Sequence, residues 1–356
     1  MNTPRSPLAS LETLTKKLRA LRARPQHERL VARAWLGRTA WPEPGDTRLP
    51  KALSEAIPEI RAELAKLAHP ALRSLGQDGA ASKLLMELSD GETVETVVLP
   101  KDGVCVSTQV GCAVGCAFCM TGRGGLRRQL GSAEIVAQVA AARAVNPGVR
   151  KVDFMGMGEP AHNLKAVLEA VQYLAAYGDF GHKALMISTS GDRRLFSALM
   201  ALEASEAKPA LAISLHSTFD EKRRGLMPRA PEVPVEELVA LAQAYSEASR
   251  NPVQFEWVLI RGVNDGMDEA ERLCGLLSGK NAMLNVIPVN PVEGTGFERP
   301  GKDACLAFVS RVREAGIVAK IRLSAAQDVD GGCGQLRSRA IREGRVSLSC
   351  GSSDEA

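Results

Sequence analysis

Aromatic side chains are scarce in this chain of 356 residues: Phe, Trp and Tyr together make up 4% of it, and there are five histidines. So few rings argue against a broad base-stacking platform for nucleic acid. No apolar run approaches the roughly 18 residues of a bilayer span, and the opening MNTPRSPLASLETLTKKLRA lacks the continuous hydrophobic segment of a secretory leader. A cytoplasmic protein without membrane contact is therefore expected. Eight cysteines are too few for a disulfide scaffold. The remainder, 45% hydrophobic and 24% charged residues, is the make-up of an ordinary globular protein. The length suits about two domains, or one barrel with an appendage.

Net charge is only +4, yet the head is basic: residues 1–38 hold nine Lys or Arg against Glu12 and Glu28. Such an excess attracts a polyanion such as RNA or simply forms a solvated face. Apolar residues at helical spacing over Leu8 to Ala23, Glu28 to Gly37 and Leu49 to Leu67, with Pro25 as a break, predict a helical domain over 1–80. From Ser82 the texture turns to strands (KLLMEL, ETVETVVLP, VCVST), punctuated by Ser89-Asp90-Gly91 and Lys101-Asp102-Gly103. A short antiparallel ribbon is expected there, leading into a main domain over 81–345. Six strand–helix units follow, from VCVST to the helix Ala304 to Ala315, and IVAKIRLS ends the series. Repeated βα units imply parallel strands with right-handed crossovers, so the fold class is α/β. Six units suit a partial (β/α)6 TIM-like barrel, with an open doubly wound sheet as the alternative. In either case functional residues belong at the carboxyl edge of the strands. Residues 346–356 read as a flexible tail.

Four of the cysteines fall within fifteen positions: Cys105, Cys112, Cys116 and Cys119. The last three form a CxxxCxxC triplet in the loop after the first barrel strand. Three thiolates on one short loop can hold an iron–sulfur cube and leave one iron without a protein ligand, open for chemistry. The competing reading is zinc with Cys105 as fourth ligand, as in a non-catalytic RNA-binding protein. Zinc ribbons, however, draw on a second CxxC pair that this chain lacks. Further along, strand ends carry Gly156-Met-Gly158-Glu159-Pro160, Ser188-Thr-Ser190, Ser214-Leu215-His216 and Asn290 before Pro291. Glycines let a backbone approach a ligand closely, and an acid offers an ammonium partner.

The triplet, with an aromatic before its last cysteine, resembles the radical S-adenosylmethionine (SAM) superfamily, whose fold is a six-unit partial barrel and whose open iron chelates SAM. Taken with Val94-Glu95-Thr96, the segment Cys105 to Cys112, GMGEP, ISTSG, SLHS with LMP beyond it, IPVNP and Asp330-Gly-Gly-Cys333-Gly-Gln-Leu336, the chain from about Glu92 to Leu336 resembles one family. This is the radical-SAM RNA methyltransferases of the RlmN/Cfr type, which methylate ring carbon C2 or C8 of adenine in 23S ribosomal RNA, with tRNA a further possible target. The resemblance implies a [4Fe-4S] cluster on Cys112, Cys116 and Cys119. It implies two SAM per turnover, with Gly158, Glu159, Ser190, Ser214, Leu215, His216 and Asn290 as cofactor-binding residues. It also implies Cys333 as a methyl carrier, Cys105 as the thiol that forms a disulfide with it, and Glu95 as general base. Flavodoxin or ferredoxin would supply the electron, and a monomer is expected. Met120 after the last cluster cysteine, and Ser324-Ala-Ala-Gln-Asp328 where a glycine is expected before the aspartate, depart from the family pattern. Arg123, Arg127 and Arg128 stand where cations meet phosphates or merely cap a helix. Cys274, Cys305 and Cys350 carry no motif.

Overall fold

The computed structural model describes residues 4–77 and 79–337. The tail expected at 346–356, the end of the main domain beyond 337 and Cys350 lie outside the described residues.

Three helices open the chain: α1 (Leu11–Ala20), α2 (Pro25–Trp35) and α3 (Lys51–Ala65). Leu11, Leu14 and Leu18 give α1 one apolar stripe, and Ser10 Oγ caps it by accepting from the Thr13 amide at 3.2 Å. Pro25 does not break a helix here. It begins one, at the position where its missing N–H costs nothing. Next come β1 (Ala68–Leu75), β2 (Ser82–Leu88), β3 (Thr93–Leu99) and β4 (Gly103–Cys105). The strand β1 was not legible in the periodicity and lies inside the stretch expected to be helical. A hairpin of β5 (Gln109–Gly111) and β6 (Leu126–Gln129) brackets the cysteine triplet.

The alternating part then runs α4 (Ser132–Val145), β7 (Lys151–Phe154), α5 (Leu164–Tyr177), β8 (Leu185–Thr189), α6 (Arg193–Met200) and β9 (Ala210–Ser214). It continues with α7 (Asp220–Leu226), α8 (Val235–Ser249), β10 (Val253–Leu259), α9 (Met267–Leu277), β11 (Ala282–Pro288), α10 (Lys302–Glu314) and β12 (Val318–Ile321). One ten-stranded sheet has the order β1-β2-β3-β4-β7-β8-β9-β10-β11-β12. Pairing is antiparallel up to β4 and parallel from β4 onward. The expected ribbon is thus the antiparallel extension of the barrel sheet itself, and the six βα units are present. Leu14, Leu53 and Ile60 of the first helices share one continuous core with Phe154, Leu211 and Trp257 of the barrel. A second, smaller core gathers Val114, Phe118, Met227, Val258 and Val289 against the three triplet cysteines. No described helix is long and apolar enough to cross a membrane.

Candidate active site

Two chambers adjoin the parallel strands, the first at their carboxyl ends and the second along β4 and β7 from their starts at Gly103 and Lys151. The first, with about 1030 Å³ of open space, is lined by Cys112, Cys116 and Cys119 together with Gly158, Glu159, Ser190, Ser214, His216 and Asn290. Of the residues expected to hold the cofactor, only Leu215 is missing. Its side chain is fully buried in the core, its N–H donates to the Glu256 carbonyl and its carbonyl accepts from Ser217. Leu215 therefore presents no group to the chamber: it is the residue just past β9, its backbone groups are both engaged and its side chain turns into the core.

The hairpin β5–β6 fixes the cysteine loop. Gly111 has φ +78, and a Cβ there would lie 1.9 Å from the Gly125 carbonyl. Burial pushes the Cys112 thiol up to about 11, and raises Cys116 through burial and the adjacent Cys119 and Cys112 thiols. Thiols in such surroundings ionise only against strong positive charge, which bound iron supplies. Among the described residues no three His, Cys, Asp or Glu side chains close on a single ion. A wider cube that takes one thiolate per iron suits the loop.

Opposite the loop, Gly158 (φ +111) is pressed against Gln109 and Thr108, where a Cβ would sit 2.7 Å from their atoms. Only glycine lets the strand end turn here. The Glu159 carboxylate accepts from Thr189 Oγ1 at 2.8 Å and from the Ala161 and Ser190 amides at 3.0 and 2.7 Å. Among the described residues Ser190 Oγ is buried without a hydrogen-bond partner, and the residue lines the chamber, where its hydroxyl can meet a ligand. His216 adopts φ +59; its Nδ1 accepts from the Val258 amide at 3.0 Å and its carbonyl from Asn264 Nδ2 at 2.6 Å. Burial, then the nearby Arg223, lowers its pKa to about 3. The ring is neutral near pH 7, and its proton sits on Nε2. Arg223 itself, unforeseen in the sequence, ties the β8 and β9 ends together by donating to the Ser190 and Ser214 carbonyls.

The second chamber, with about 1510 Å³ of open space, holds Cys105, and Cys333 lines both. The loop carrying Cys333 is bound to the cysteine loop, since the Met120 amide donates to the Gly334 carbonyl at 2.7 Å and Thr121 Oγ1 to the Leu336 carbonyl at 2.7 Å. Asn290 Nδ2 donates to the Cys333 carbonyl and to Ser324 Oγ, both at 2.9 Å. The surrounding protein desolvates and so raises both thiols, the half-buried Cys105 and the exposed Cys333; Asp153 adds to this at Cys105, whereas Ser324 and Arg322 draw Cys333 down. Ala326, in the segment that departs from the family pattern, has φ +55, a left-handed conformation that glycine adopts without strain.

Glu95 lines neither chamber. It is 0% exposed, ion-paired with Lys83 Nζ at 3.3 Å, and accepts from the Arg337 amide at 2.8 Å. It thus fastens the segment just after the Cys333 loop and does not face a substrate in this conformation. Arg127 pairs with Glu92 at 2.6 Å, and Arg128 with Asp90 and Glu134 at 2.7 and 3.0 Å. Those two cations are committed internally. Arg123 has no carboxylate partner among the described residues.

The model of the radical SAM superfamily matches residues 106–274. A probable RNA methyltransferase of Azoarcus sp. (strain BH72) is 51% identical, covering 94% of this chain and 96% of its own. Another of that name, from Methylibium petroleiphilum, is 52% identical over 93% of each. The crystal structure of a radical SAM methyltransferase from Sphaerobacter thermophilus superposes with a TM-score of 0.81 at 35% identity, covering 94% of this chain and 99% of that one. A triplet of thiols facing a glycine-and-glutamate shelf at the mouth of a six-unit barrel, with such relatives over nearly its whole length, places the chain in the radical SAM methyltransferase family, alongside the probable RNA methyltransferases.

Proposed function

We propose that the chain methylates C2 or C8 of an adenosine in RNA, 23S ribosomal RNA being the first candidate and tRNA the second, through a methylated Cys333. The observation that carries this reading is the position of Cys333 on the divide between the two chambers. A carrier has to meet the methyl donor on one side and the acceptor on the other.

When bound, the cluster and SAM supply an electrophilic methyl group and a 5′-deoxyadenosyl radical. Cys112, Cys116 and Cys119 hold the cube. Gly158 and Glu159 receive the methionine end of SAM, while Ser190, Ser214, His216 and Asn290 offer small polar groups to the rest. Two SAM serve each turnover, and flavodoxin or ferredoxin delivers the electron. The Cys333 thiolate would attack the methyl carbon of one SAM, S-adenosylhomocysteine would leave, and Cys333 becomes a methyl thioether. Carbons C2 and C8 of adenine are too electron-poor for direct polar methylation, and a sulfur carrier turned toward the second chamber avoids that difficulty. After the methyl group on Cys333 has given one hydrogen atom to the radical, its carbon would bond to the ring carbon, and the adduct would lose one electron to the oxidised cluster and the ring proton to a base. The Cys105 thiolate then attacks the Cys333 sulfur, the S–CH2 bond breaks, the departing carbon takes a proton as the product's methyl group, and a Cys105–Cys333 disulfide is left. Glu95 takes the ring proton once the segment around Arg337 has moved off its carboxylate.

Peptide mass spectrometry across Cys333 tests this. A single added methyl is expected in the wild-type protein, and none when Cys112, Cys116 and Cys119 are all changed to Ala. An unmodified Cys333 in protein that holds its cluster and binds SAM overturns the carrier role. RNA trapped covalently on Cys105→Ala would identify the target.

A further inference from the structure

The short helix α7 and the residues just after it bring two cations against the cysteine loop. Helix and loop are joined through the main chain: the Ala117 amide donates to the Leu226 carbonyl at 2.9 Å, and the Arg229 amide donates to the Val114 carbonyl at 3.2 Å. Arg223, on α7, is 5% exposed and donates to the Ser190 and Ser214 carbonyls. Its guanidinium thus stands behind the main chain of two residues that line the first chamber with the three cysteines. No carboxylate lies within ion-pair distance of it among the described residues, and there its Nε is buried without an acceptor. Arg229 is exposed and likewise has no described carboxylate partner. Its guanidinium covers the loop itself: a Cβ added at Gly115, between Cys112 and Cys116, would lie 2.6 Å from Arg229 Nη2.

A buried cation is costly unless negative charge lies close by. Burial works against the charge on Arg223, and the groups that favour it are Asp220, Cys116 and Glu159. The Asp220 carboxylate already accepts from the Val235 amide, and Glu159 is engaged by Thr189 and two amides. From Gln109 to Gly131 the chain has no Asp or Glu at all. A cluster on the triplet would bring the missing charge. Three thiolates outweigh an oxidised cube by one negative charge and a reduced cube by two, so the electron that reduces it adds to the charge facing the arginines. The potential of such a cluster follows the net charge around it, and a cation acts more strongly in a water-poor site than in water. We infer that Arg223 and Arg229 hold up the reduction potential of the bound cluster, Arg223 with the larger effect because it is buried, so that a one-electron donor can load it. This rests on the reading of the triplet as a cluster site. Neither arginine lines the first chamber; each acts through its field.

The test uses full-length protein reconstituted anaerobically with iron and sulfide and titrated with titanium(III) citrate in the absence of SAM. Each titanium(III) gives one electron and becomes titanium(IV), and the reduced cluster is counted by electron paramagnetic resonance. In Arg223→Gln the ratio of reduced to oxidised cluster at a fixed potential should fall about tenfold, a shift of about 59 mV for one electron. Arg223→Lys keeps the charge and should stay close to the wild type. Arg229→Gln should give a smaller fall, about threefold, that fades between about 0.01 M and 1 M salt because its charge is exposed. An unchanged midpoint in Arg223→Gln that retains its iron, or a midpoint in Arg223→Lys as low as that of Arg223→Gln, overturns the inference. Should Arg223→Gln lose its iron, Arg229→Gln decides, and an unchanged midpoint there in low salt overturns it. Wild-type protein that takes up no iron overturns the cluster reading and this inference with it. Iron taken up with midpoints that do not move overturns this inference alone.

Discussion

His216 illustrates what one buried side chain contributes. Its folded pKa of about 3 lies below the ordinary 6.5, so above pH 6.5 neither the folded nor the unfolded chain carries the proton. Between 6.5 and 3 the unfolded chain binds a proton that the folded chain refuses. Stability is therefore lost as pH falls through that window, at up to about 1.4 kcal/mol per unit. Urea midpoints measured at pH 7 and pH 5 should fall more steeply in the wild type than in His216→Gln. Equal slopes would mean that the ring is not held neutral by burial. The histidine itself was visible in SLHS, but its tautomer was not, because the Val258 amide that fixes it comes from the next strand. Asp153 and Glu256 left a signal of a different kind, a carboxylate flanked on both sides by apolar residues in the strands KVDF and VQFEWVL. Sequence could not reveal that the two share a chamber with Arg322, since those residues meet only once the sheet curls.

At the scale of the element, the short hairpin β5–β6 determines whether the cysteine loop can hold anything. Gly111→Ala would force a Cβ to within 1.9 Å of the Gly125 carbonyl at φ +78. Opening the pair should cost at least about 2 kcal/mol and lower the iron bound after anaerobic reconstitution. Normal iron content in Gly111→Ala would show that the loop orders itself without the hairpin. Neither strand was legible. QVG and LRRQ are too short for a periodic signal, and their pairing spans the cysteine loop. The long helices were readable because α5 and α8 alternate apolar and polar faces over many turns. The extra helix α7 was hidden within the SLHS to LMP segment, where seven residues, DEKRRGL, carry charge and little pattern.

Across the molecule, Arg143 ties the basic head to the barrel. From α4 it donates to the Leu36 carbonyl at 3.1 Å, to Val149 at 3.2 Å and to Gly178 at 2.7 Å, with its guanidinium 4.2 Å from the Phe180 ring centroid. Burial holds its pKa down to about 10, still charged at neutral pH. Arg143→Met would strand three carbonyls, costing about 3 kcal/mol, and should expose α1 and α2 to proteolysis before the barrel. Unchanged midpoint and digestion pattern would show that the shared apolar core suffices. The sequence by itself determined the chemistry's ingredients and the order of the six βα units, because cysteine spacing and hydrophobic period are local properties of the chain. Only the tertiary structure decided that the ribbon extends the barrel sheet, that Leu215 points inward, that Glu95 is locked against Lys83, and that Cys333 lies between two chambers. Each of these depends on groups far apart in sequence whose meeting is set by packing, which no local pattern encodes.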